Sequence, residues 1–199
     1  MDKRQDSIFI ARTNQHLDLA KMTIFTGDDC DIEHELKEII KSDTNLFYDI
    51  KEFSYKSSSY EFIKKSNPFL ALTRLLLFLK EHNNEEDKIY AIFYPEEHLH
   101  PKYQKHIGIF LCKLVSFYNK RILIFTHSDH IINMVCYDQY NGFLKSWGIK
   151  IYNKSNDKKS LYEKIEILNG QFYNRSKNER GFPEGFFDAT LKEVMEINQ

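Results

Sequence analysis

Seven residues in two short stretches carry the side chains to do chemistry. Glu96, Glu97, His98 and His100 follow the apolar run from Ile89 to Phe93, and His127, Asp129 and His130 follow the apolar run from Arg121 to Phe125. Strands at both runs, side by side and parallel, would deliver the two stretches to one edge of a sheet. Two chemistries suit such a set. Imidazole and carboxylate together are ligands for zinc or another transition metal, and His98, His100, His127, Asp129 and His130 are the residues to hold it. Alternatively, Glu96 or Glu97 polarises a water for hydrolysis, as a carboxylate acting as general base does. Each residue also has a plain reading, with His127 a hydrogen-bonded residue at a strand end and the rest a solvated turn.

The elements that must position these residues follow from the apolar pattern. Ile89 to Phe93 and Arg121 to Phe125 are apolar on both faces, as expected of strands inside a covered parallel sheet. Pro101 opens a helix to about Tyr118, and Ser128 to Val135 reads as another. This alternation of strand and helix argues for right-handed βαβ units. Upstream, Ser7 to Ala11 and Met22 to Thr26 read as strands, the second stopping at Gly27. Glu35 to Lys41 reads as a short helix and Leu46 to Tyr55 as one strand. Asn67-Pro68 is a helix entry, with Phe69, Leu72, Leu75, Leu76 and Leu79 at helical spacing to about His82. The polar stretch Glu81 to Lys88 reads as a loop. Downstream, Trp147 to Asn153 and Leu161 to Leu168 read as antiparallel strands, with Asn169-Gly170 as a hairpin turn into Gln171 to Tyr173. The expected architecture is α/β: a mostly parallel sheet flanked by helices, residues 1–142, with a small antiparallel C-terminal β element, a β-hairpin and helix appendage, in residues 143–199 of the same domain.

At 199 residues and net charge -1, the chain suits one domain with a proper core. Nothing global marks it as a nucleic-acid or membrane-surface protein. Lys102, Lys105, Lys113, Lys120 and Arg121 lie among acidic neighbours and read as a solvated face, so any nucleic-acid role is indirect. Cys30, Cys112 and Cys136 are too scattered for a disulfide framework or a paired metal motif. The charged N-terminus lacks a signal-peptide apolar region, and no apolar run is long enough to span a bilayer, so the expected location is cytoplasmic.

Pro95-Glu96-Glu97-His98-Leu99-His100-Pro101 after one strand and Thr126-His127-Ser128-Asp129-His130 after the next resemble the C-terminal half of the ABC-type ATPase head of SMC-like and OLD-like ATPases. The approach LDLAKMTIFTGDD and the tail GFPEGFFD extend the likeness to bacterial predicted ATPases of that group. The resemblance implies a P-loop NTPase fold and names the positions that should hold ATP and magnesium. At the P-loop position, Gly27 matches the first glycine, Ile32 stands at the second, Glu33 replaces the lysine and His34 the magnesium-binding hydroxyl. Exchanging lysine for glutamate shifts the interaction with one phosphate charge by roughly 8 kcal/mol at about 4 Å and an effective dielectric of about 20. Phe93 and Tyr94 occupy the two acidic Walker B positions, and Glu96 and Glu97 come after them, pointing toward a partner. Lys64-Lys65-Ser66-Asn67 stands where the signature segment belongs, with its glycine missing, and His127 matches the γ-phosphate switch. Only about thirty residues separate the P-loop and signature positions, which leaves no room for coiled-coil arms.

The resemblance therefore implies a miniaturised, catalytically inactive head with no cofactor, a vestigial P-loop at Gly27, Glu33 and His34, and a vestigial switch at His127. Its partner would be a second copy or an active ABC-type ATPase, met through Glu96, Glu97, His98, His100, Asp129 and His130, in a mobile-element or phage-defence setting. The alternatives are an atypical ATP hydrolase using Glu96 or Glu97, with ATP and magnesium as cofactors, and a metal-dependent enzyme using the histidines.

Overall fold

The computed structural model of the protein describes residues 7–11, 13–27, 31–42, 47–49, 89–97, 99–154, 162–174 and 179–180. Expectations that lie outside these residues are the acidic turn at 28–30, the strand beyond Asp49, the helix from Asn67 with the signature position before it, the loop at 81–88, His98, and the GFPEGFFD tail.

The centre of the fold is β3 (Met22–Gly27), buried along its whole length. It lies between β6 (Arg121–Phe125) and β7 (Ile149–Lys154), parallel to both. Beyond β6 stand β5 (Ile89–Phe93) and β4 (Phe47–Asp49), also parallel. The strands Met22–Gly27, Arg121–Phe125 and Ile89–Phe93 thus stand side by side, as their apolar runs predict. On the other flank the sheet continues antiparallel through β8 (Tyr162–Leu168), β9 (Gln171–Asn174) and β10 (Glu179–Arg180). The eight strands run in the order β10-β9-β8-β7-β3-β6-β5-β4. The antiparallel element is therefore an extension of the main sheet rather than a separate piece. Asn169 and Gly170 make the β8–β9 turn with φ of 53° and 73°, the pair of left-handed residues that a tight hairpin turn requires.

Each face of the sheet has its own apolar layer. Met22, Ile24, Ile122, Ile124 and Ile151 face α2 (Pro101–Ser116) and α3 (Asp129–Tyr140), which bury Leu111, Val115, Ile131 and Val135 against them. Phe25, Leu123, Phe125 and Tyr152 face the other way, toward Leu36 of α1 (Asp31–Ser42) and the separate hairpin of β1 (Ser7–Ile10) and β2 (Gln15–Asp18). Gln15 fastens that hairpin to β8, its amide donating to the Tyr162 carbonyl at 3.2 Å and accepting from the Tyr162 N–H at 2.8 Å. Among the described residues, no helix is long and apolar enough to cross a membrane.

Several boundaries differ from the sequence reading. Helix α1 starts at Asp31 rather than Glu35, because acidic residues are favourable in a first helical turn. Helix α2 ends at Ser116, where Asn119 turns the chain at φ 52°. Helix α3 runs five residues past Val135 to Tyr140, since no breaker occurs before Asn141-Gly142. Strand β2 has too short and polar a run to announce itself, and Trp147 sits in a 3-10 turn (Ser146–Gly148) ahead of β7.

Candidate functional site

The carboxyl edge of the parallel strands contains a topological switch point. After β3 the chain leaves for α1 on one face, and after β6 it leaves for α3 on the other. The crevice between two such strand ends is where open α/β sheets bind ligands. Gly27, at the end of β3, and Thr126 and His127, just after β6, therefore flank a natural binding position. Tyr94 and Glu96 come to it from the turn after β5.

Beside this position the chain packs side chains of its own onto the end of β6. Tyr94 takes the left-handed conformation, φ 47°, and its N–H donates to the Phe125 carbonyl at 2.8 Å. That turn lays the Tyr94 ring on His127, stacked at 5.3 Å and 29°, and edge-on to Phe125 at 4.9 Å. Phe93 packs against Phe125 at 6.3 Å, with the Lys37 ammonium 5.3 Å from its ring. The next two turns, closed by Glu97 N–H to the Tyr94 carbonyl and Leu99 N–H to the Glu96 carbonyl, bring Glu96 inward. Its Oε1 accepts from the His127 N–H at 2.7 Å, whereas Oε2 is buried with no hydrogen-bond partner among the described residues. The Glu96 carboxylate is thus committed to backbone of its own chain, while Glu97 is exposed.

The remaining expected residues also have local work. His100 caps α2, its Nδ1 accepting from the Lys102 N–H at 3.2 Å. Ser128 caps α3 by accepting from the Ile131 N–H and ties the two helices by donating to Gln104 Oε1 at 2.7 Å. Asp129 and His130 lie 3.8 Å apart, both about half exposed, and His127 is exposed at the rim. No three metal-ligating side chains come together among the described residues, and His98 is outside them. Lys120 is buried with its ammonium 5.6 Å from the Tyr90 ring, so it belongs to no basic surface. Burial pushes the Cys112 thiol well above the ordinary range, helped by its hydrogen bond to Asp138, and pushes Cys136 up to about 12. Thiols held protonated in this way are not nucleophiles.

Sequence reasoning missed the neighbours of Gly27. This residue has φ 130°, and a Cβ added there would collide with the Lys154 backbone of adjacent β7. The Lys154 side chain is fully buried, its ammonium 3.9 Å from Glu35 of α1 and 5.5 Å from the Tyr162 ring. Tyr162 donates its hydroxyl to the same Glu35 oxygen at 3.3 Å, and Glu35 Oε1 has no hydrogen-bond partner among the described residues. The edge therefore has a buried lysine beside its glycine, held from the neighbouring strand and facing a carboxylate. Helix α1 carries Glu33 and His34 in its opening turns, and His34 is exposed. Chemically, this edge can pack and present a mixed imidazole and carboxylate surface. No protein-family model matches the chain, and comparison with curated proteins returns no match.

Proposed function

We propose that this protein is a catalytically inactive, ABC-type ATPase-like subunit that binds another protein through the carboxyl edge of its sheet. The observation that carries the reading is Tyr94 stacked on His127 with Glu96 fastened to the His127 N–H, at the crevice where a nucleotide would otherwise lie. The positions of Gly27 after the central strand, Tyr94 after β5 and His127 after β6 support the likeness to a P-loop head. The residues at those positions support loss of its chemistry. A hydrolase working through Glu96 has less support, because that carboxylate would first have to abandon a charge-assisted hydrogen bond worth about 1.5–3 kcal/mol. The exposed Glu97, His100, His127 and Asp129 form the rim offered to a partner.

The partner fitting this face best is an intact ABC-type ATPase head, whose own dimerisation face is built on the same elements. The test is sedimentation of the purified protein with such an ATPase, with and without Mg-ATP. A complex is expected that the double change His127→Ala, His130→Ala weakens at least tenfold (about 1.4 kcal/mol). Its formation should not require a nucleotide site on this chain. A complex indifferent to that double change would reject the carboxyl edge as the contact.

A further inference from the structure

The opposite edge of the sheet carries a different surface. Helices α2 and α3 both start at the carboxyl edge and end at the amino edge, and there the large exposed aromatics gather. Phe117 (69% exposed), Tyr118 (59%), Tyr137 (59%), Tyr140 (69%), Phe143 (57%) and Trp147 (73%) all follow or end these helices. They are joined through the structure. The Asp138 carboxyl meets Cys112 and Lys113 near the end of α2, next to Phe117 and Tyr118. The Phe143 and Leu144 N–H groups fold back onto the Asp138 carbonyl, and Leu144 is buried, so the loop holds Phe143 outward. The β8–β9 turn sits against Tyr140, where its Gly170 N–H donates to Gln139 and a Cβ on Gly170 would meet Tyr140 Cβ at 2.7 Å. The 3-10 turn bearing Trp147 contacts β8.

We infer that this aromatic edge is the interface of a two-fold homodimer. The patch is large enough for this. Six aromatics of about 150–250 Å² each, exposed to this degree, offer on the order of 700 Å², close to the ~800 Å² that each partner gives to a stable interface. A lone soluble domain rarely leaves so large an apolar patch in water. Phe143 and Trp147 of one protomer would pack on Tyr137 and Tyr140 of the other, and the reverse, as an isologous contact demands. Both carboxyl edges then face outward.

Trp147 is the single tryptophan, so its emission reports this edge directly. The experiment is sedimentation velocity and tryptophan emission on the same samples, diluted from about 100 μM to about 1 nM, because interfaces of this size range in affinity from micromolar downward. A dimer is expected at the upper end, with emission moving to that of exposed indole in step with dissociation. Tyr140→Ser with Phe143→Ser, and separately Phe117→Glu, should each raise the dissociation constant at least tenfold while leaving far-UV circular dichroism unchanged. The double change His127→Ala, His130→Ala at the far edge should leave it unaffected, which separates this interface from the one proposed above. A monomer at every concentration overturns the inference, as does a dimer indifferent to both aromatic-edge variants. Buried-type emission from a monomer also overturns it, since another segment of the chain would then cover Trp147.

Discussion

Replacing Gly27 with alanine is expected to cost about 4 kcal/mol or more in folding stability, whether or not nucleotide is present. Two penalties add at this residue. A φ of 130° lies in a region that side chains rarely adopt, and the new Cβ would meet the Lys154 carbonyl, which is backbone and cannot swing away. Gly27 is buried and paired with Lys154 of β7, so the strain falls on the strand pairing itself. Urea unfolding of wild type and Gly27→Ala, each with and without Mg-ATP, measures the effect. In a working P-loop the glycine serves the approach of phosphate, and its loss shows mainly in binding. Here its duty is the close approach of two strands, so the loss should show in stability. A cost below about 1 kcal/mol would place Gly27 back among binding residues.

The second large effect lies one strand away. Glu35→Ala is expected to destabilise by about 3 kcal/mol, because it removes the carboxylate that faces the buried Lys154 ammonium and accepts from the Tyr162 hydroxyl. Lys154→Met alone should be nearly as costly, since the carboxylate then faces an apolar chain. Joining Lys154→Met with Glu35→Leu should recover most of the loss, as a buried ion pair replaced by apolar groups of similar size is often neutral. The double-mutant cycle, read by chemical denaturation, gives the coupling directly. Additive single effects would mean that Glu35 does not neutralise Lys154.

Much of the frame was legible because burial leaves a plain mark. Strands β3, β5 and β6 are apolar on both faces, and only a covered parallel sheet asks for that. Pro101 and Asn169-Gly170 named a helix start and a hairpin turn through backbone chemistry alone. The site was less legible, because its decisive contacts join residues far apart in sequence. Lys154 ends the run IKIYNK, one residue past the expected strand, and only the pairing of β7 with β3 sets it beside Glu35. Glu96 reads as a carboxylate pointing toward a partner, yet the left-handed turn at Tyr94 swings it onto His127. No local pattern foretells a positive φ at a tyrosine. The β1–β2 hairpin was half missed for a simpler reason: four residues reading QHLD carry too little apolar signal to mark a strand.

The crevice between β3 and β6 is expected to be closed to nucleotide. Isothermal titration of Mg-ATP into the purified protein tests it most directly. With Tyr94 on His127 and Glu96 holding the backbone N–H beside it, no saturable heat is expected at ATP concentrations up to about 1 mM, nor any rise in melting temperature. A dissociation constant of about 10 μM would instead stabilise the fold by about 2.7 kcal/mol at that concentration. Such binding, lost in His127→Ala, would contradict the account.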